Sequence, residues 1–72
     1  MEKNLLTRSQ RKVYNVIAGY INIFGVSPTI SEISEELNKA RSTIHEEVGI
    51  LVKKGYIEKI NNKKRGLIVI NR

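Results

Sequence analysis

The apolar positions of this chain change period once. From Thr7 to Gly55 they recur every three or four residues, and beyond Tyr56 they gather into two short blocks. The first spacing buries one face of a helix; short blocks rich in β-formers and bounded by turn residues read as strands. The pattern therefore predicts helices over about 8–24, 30–38 and 41–54, then strands over about 56–60 and 66–70.

The first helix opens at Thr7, with Gln10 placed to close a capping box in which hydroxyl and amide each satisfy an orphan backbone N–H. Val13, Ile17, Tyr20, Ile21 and Phe24 repeat on one face until Gly25 stops the helix. Tyr14 and Tyr20 read as core or core-edge residues. Arg8, Arg11 and Lys12 crowd the first turns, where positive charge opposes the helix dipole. An external phosphate or plain solvation would each account for them. Gly25 to Pro28 form a bend, and Pro28 allows at most a brief edge strand there.

Thr29 and Glu32 make a second capping box, and Ile30, Ile33 and Leu37 follow at helical spacing. Asn38, Lys39 and Ala40 leave room only for a tight turn. Ile44, Val48, Leu51 and Val52 then mark a third helix, closed by Lys53, Lys54 and Gly55. A short helix, a tight turn and a longer helix make a helix-turn-helix, whose second helix enters the major groove of DNA. With Ile44, Val48 and Leu51 turned inward, Ser42, Thr43, Glu46, Gly49, Ile50 and Lys53 face outward and His45 lies on the boundary. Ser42, Thr43, His45 and Glu46 are the base-reading candidates, since hydroxyls, imidazole and carboxylate can all address base edges.

Tyr56–Ile60 and Leu67–Ile70 flank NNKKRG and form a hairpin, a wing beside the recognition helix. Lys63, Lys64 and Arg65 sit at its tip. Their mutual repulsion would be relieved by a phosphate backbone or a narrow minor groove, while a charged tip also discourages edge-to-edge pairing. Lys39, Arg41 and Lys53 complete the set of candidates for the DNA backbone or minor groove. Leu67 to Ile70 do not alternate, which leaves open which of them face the core. Met1 to Asn4 reads as a mobile polar lead-in.

Composition narrows the partner. Thirteen Lys and Arg against seven acids give net +6 in 72 residues and a pI near 9.9, which favours a polyanion. A membrane surface fits less well than nucleic acid, because no helix combines a basic face with large exposed apolar side chains. No apolar run is long enough to span a bilayer, the start lacks the apolar core of a signal peptide, and the chain has no cysteine. These features fit a cytoplasmic protein. Catalysis fails on inventory: there is no Cys or Asp, and His45 is the only histidine. Neither a nucleophilic triad nor a metal site can be assembled, and no cofactor or small-molecule ligand is indicated.

LTRSQ at 6–10, the Val13/Ile17/Ile21 stripe, SPTISEI at 27–33, STIHEEVGILVKKGYIEK at 42–59 and RGLIVI at 65–70 together resemble the N-terminal DNA-binding domain of LexA-type repressors. The likeness covers nearly the whole chain in order. It implies an α+β fold, a three-helix winged helix-turn-helix with a small antiparallel hairpin, that represses transcription by binding operator DNA as a symmetric pair. By the same resemblance, Ser42, Thr43, His45 and Glu46 fall on the groove-reading half of the recognition helix, and Arg65 on the family's wing arginine. The turn before Ser42 is about one residue shorter than is typical of the family. Members continue past this point into a self-cleaving serine-lysine domain that also dimerises, so the chain reads either as an excised domain or as a relative that keeps only the reader.

The expectation is thus one domain over 1–72 that binds specific double-stranded DNA as a repressor, with homodimers on paired half-sites. The alternatives are a winged-helix module for protein interaction, supported by Ile50, Glu46 and Glu47, and a replication-initiation factor.

Overall fold

The computed structural model describes residues 5–70; the mobility expected of Met1–Asn4 lies outside them. The elements run α1 (Arg8–Phe24), α2 (Ile30–Leu37), α3 (Arg41–Lys53), β1 (Ile57–Lys59) and β2 (Leu67–Val69). This is the α+β winged-helix arrangement the pattern predicts.

Both capping boxes form. The Thr7 hydroxyl accepts from the Gln10 N–H at 3.2 Å while Gln10 Oε1 accepts from the Thr7 N–H at 3.0 Å. Thr29 and Glu32 exchange the same pair of bonds at 3.1 and 2.9 Å. Gly25 ends α1 in the left-handed region at φ 77°, and Gly55 does so after α3 at φ 84°. Asn38 takes the left-handed position after α2 at φ 56°, so the turn to α3 is as tight as its length requires. The Ser34 hydroxyl bonds the Lys39 carbonyl and holds that turn closed.

Val13 and Ile17 of α1, Ile33 of α2, Ile44, Val48 and Leu51 of α3, Ile57 of β1 and Leu67 of β2 form one buried cluster. Each element contributes to it, which explains how three short helices and a two-stranded sheet hold together without a staple. Tyr14 meets Tyr56 edge-on at 5.8 Å, joining α1 to the start of the wing. Phe24 departs from its predicted stripe. It is 62% exposed and leans on Tyr20 at 4.5 Å, because Gly25 ends the helix before the core reaches it.

The hairpin is shorter than predicted. Its register pairs Ile57 with Val69, Glu58 with Ile68 and Lys59 with Leu67. Single bonds from the Ile60 N–H to the Gly66 carbonyl and from the Ile70 N–H to the Tyr56 carbonyl extend the pairing at either end. The run that does not alternate resolves as Leu67 buried, Ile68 exposed and Val69 half-buried. At Gly66 a Cβ would stand 2.8 Å from the Ile60 carbonyl oxygen, so the loop at the wing's tip closes only around glycine.

Candidate nucleic-acid interface

Burial of Ile44, Val48 and Leu51 fixes the rotation of α3 and hence what it presents. Ser42, His45, Glu46, Gly49 and Lys53 are exposed, and Thr43 and Ile50 are half-buried. Glu47 turns partly inward; one of its carboxylate oxygens is shielded from solvent with no hydrogen-bond partner among the described residues. The helix begins at Ala40, whose side chain offers no cap, and its first turn contains no acid. Its leading N–H groups and positive dipole end are thus left for an outside acceptor.

Beside this end lies an open cleft. Arg41 and His45 form one wall, Lys59, Lys63, Lys64, Gly66 and Leu67 the wing wall, and Thr29, Ile30 and Ser31 the start of α2. Four cations and the imidazole therefore line one depression with no carboxylate among its lining residues. A surface of this kind attracts phosphate through charge and through hydroxyl and backbone donors.

The predicted residues separate into groups. Arg41, His45, Lys63 and Lys64 come together in the cleft, while Ser42, Thr43 and Glu46 lie on the adjoining solvent side of α3. Lys53 sits at the far end of that helix, outside the cleft lining. Lys39 points the other way, with its ammonium 3.5 Å from the Ser9 hydroxyl of α1. Lys59 joins the site without having been singled out in the sequence. The available signal was its place as a cation in the strand beside the charged loop, but the face it takes depends on the register with Leu67.

Arg65 is turned into the body of the protein. Its two terminal nitrogens donate to the Glu32 carboxylate at 2.9 and 2.8 Å, and one of them also donates to the Ser27 carbonyl at 2.9 Å. The guanidinium approaches the Tyr20 ring at 5.9 Å. The planar fork that suits phosphate is thus matched to a carboxylate of the same chain. Those bonds, with the Thr29 N–H, hold the Glu32 carboxyl down at about 2 and push the Arg65 guanidinium further up. Ser27 adds a second tie to the wing, its hydroxyl accepting from the Leu67 N–H at 3.2 Å. At the other end of α3, Lys54 donates to the Leu5 carbonyl at 2.7 Å and to Gln10 Oε1 at 2.9 Å, which locks α3 to the start of α1.

Comparison with known proteins now bears on this geometry. The model of the LexA DNA binding domain matches residues 2–66. The chain belongs to that family. The "LexA repressor" of Magnetococcus marinus is 37% identical over 65 residues, covering 90% of this chain and 28% of the relative. That of Oleidesulfovibrio alaskensis is 33% identical over 64 residues, covering 89% and 31%. The chain thus spans about a third of the length of these LexA repressors. A crystal structure of a hypothetical protein from Sulfolobus solfataricus superposes with a TM-score of 0.77 at 32% identity, covering 92% of this chain and 48% of that one. Membership of the LexA DNA binding domain family agrees with the helix-turn-helix and the two-stranded wing described above. Among the described residues, no helix is long and apolar enough to cross a membrane.

Proposed function

We infer that this protein is a sequence-specific binder of double-stranded DNA and acts as a LexA-like transcriptional repressor. The observation that carries the reading is the continuity of two surfaces: the polar outer side of α3 adjoins a cleft whose lining includes four cations. A helix of 13 residues, about 20 Å long, fits the major groove, which is roughly 12 Å wide. Ser42, Thr43, His45 and Glu46 then address base edges. Arg41, Lys59, Lys63 and Lys64 hold the flanking backbone. Gly49, on the same helix, has nothing within 4 Å of where a Cβ would stand, which keeps the middle of that surface low for a duplex.

Arg65 has a different part in this reading from the one its place at the wing tip suggests. It sets the wing against the body and so fixes the angle at which Lys63 and Lys64 are offered. Repression in pairs follows from the size of the site. One copy offers a single recognition helix and wing, so monomer binding is weak and adjacent half-sites about one turn apart are filled cooperatively.

Selection of bound duplexes from a random pool tests the reading. A recovered consensus that changes when Ser42 or Glu46 is replaced by Ala is expected; recovery of no consensus would overturn it. The protein-interaction alternative draws on Ile50, Glu46 and Glu47, of which Glu46 is exposed and Ile50 and Glu47 are half-buried.

A further inference from the structure

A groove between α1 and α2 has no part in the DNA reading, and none of its lining residues belongs to α3 or the wing. Val16, Tyr20 and Ile23 follow one another at spacings of four and three, so they form one apolar ridge along its α1 wall. Phe24 extends that ridge and leans on Tyr20, with ring centroids 4.5 Å apart. Ile23 is 74% exposed and Phe24 62% exposed, a large apolar surface for so small a protein to leave in water. Gly19 lies between Val16 and Ile23 on the same wall. Nothing stands within 4 Å of its Cβ position, which keeps the groove open at its middle.

The α2 wall is acidic. Glu32, Glu35 and Glu36 line it, and no Lys or Arg is among the lining residues. Glu32 is already engaged by Arg65, whereas Glu35 and Glu36 are exposed and take part in no ion pair among the described residues. The last turn of α1 borders the same groove and carries no basic residue, so the negative end of its dipole adds to the field of the carboxylates. Such a wall repels phosphate, and the groove is therefore no second nucleic-acid surface.

We propose that this groove receives a basic amphipathic helix of another protein, laid along the α1 ridge with its apolar face down and its Lys or Arg residues against Glu35 and Glu36. From Asn15 to Phe24 the groove is about 13 Å long, room for roughly two to three turns of a third helix. A ridge with spacings of four and three is the complement of the apolar anchors that such a helix presents one turn apart. The carboxylates select it from acidic helices of the same shape, because like charges brought together at that rim repel. The groove shares no lining residue with the cationic cleft beside α3, so a duplex and the helix can be held at once.

The test needs no DNA, so its outcome is separate from that of the DNA reading. The probe is a labelled peptide of about 18 residues made of leucine and lysine, with the leucines on one helical face, titrated by fluorescence anisotropy. Amide NMR spectra taken with the same peptide are expected to move at Asn15, Gly19, Ile23, Glu35 and Glu36 and to stay still at Arg41, His45 and Lys63. Ile23→Asp, or Glu35→Gln with Glu36→Gln, is expected to weaken binding by at least about tenfold, as is scrambling the peptide so that its leucines share no face. Gly19→Leu separates docking from folding, since it should raise the melting temperature while filling the groove and excluding the peptide. Equal affinity of the natural chain and Ile23→Asp, no binding at all, or spectral changes centred on α3 or the wing would overturn the proposal. So would changes at the groove residues on diluting the chain alone, which would mean that a second copy fills the groove instead.

Discussion

Arg65 shows how one residue's neighbours decide its work. A solvated arginine at a hairpin tip would be held by nothing but water, whereas this one meets a carboxylate, a carbonyl and an aromatic face at once. Glu32 is shared between the capping box and this pair, so the start of α2 and the wing are fixed by the same side chain. The pH dependence follows in sign. A carboxyl held low in the folded state stabilises that state above its unfolded range and loses the benefit as protons return. The contribution is therefore complete above about pH 4.5 and fades as pH falls toward about 2. In urea titrations, Glu32→Gln is expected to be less stable than the natural chain at neutral pH, and the gap should close across that window. Arg65→Lys keeps the charge but loses the bidentate fork, so it should lower stability as well. Equal urea midpoints for Arg65→Lys and the natural chain would show that the fork does not anchor the wing.

Between residues and the whole, α3 carries the most information because it has one buried side and one presented side. Its start is deliberately poor as a free helix end: Ala40 has the extended backbone of a cap, φ −65° and ψ 148°, without the side chain. Ala40→Ser should supply the missing acceptor and stabilise the protein by about 1 kcal/mol, or a rise of roughly 4–8 °C in Tm. It should also weaken duplex binding, since the new hydroxyl occupies N–H groups offered to phosphate. Calorimetry and a duplex titration on the one variant check both halves. Much of this element was legible in the chain, because the Ile44, Val48 and Leu51 spacing sets the helix rotation and everything polar follows from it. The capping boxes were legible for a similar reason: Thr7 with Gln10 and Thr29 with Glu32 act within four residues. What escaped the sequence depends on contacts between distant segments. The pairing of Arg65 with Glu32 spans 33 residues, and the entry of Lys59 into the cleft waits on the register of a sheet whose strands do not alternate. Phe24 was misplaced for a subtler reason, since periodicity marks a direction around the helix but not where the core ends along it.

On the scale of the whole molecule, four cations converge: Arg41, Lys59, Lys63 and Lys64 line the cleft beside α3. Binding to a polyanion releases one condensed counterion for about each phosphate neutralised, so the logarithm of the affinity falls with the logarithm of salt at a slope near 0.9 per contact. Replacing Lys63 and Lys64 together by Ala should reduce that slope by up to about 1.8 and weaken all duplexes alike. Lys59→Ala should reduce it further, by up to about 0.9, although its strand position alone would not nominate it. Lys39→Ala should leave the slope unchanged, because its ammonium is directed to Ser9 on α1. Arg65→Ala separates charge from geometry: if the residue is a strut, affinity falls through a displaced wing, and the slope falls only as far as Lys63 and Lys64 lose their contacts. The measurement is a salt titration of duplex affinity for each variant against the natural chain. An unchanged slope in the Lys63 and Lys64 double variant would remove the cleft from the interface, and a slope change for Lys39→Ala would mean the duplex also reaches the α1 side.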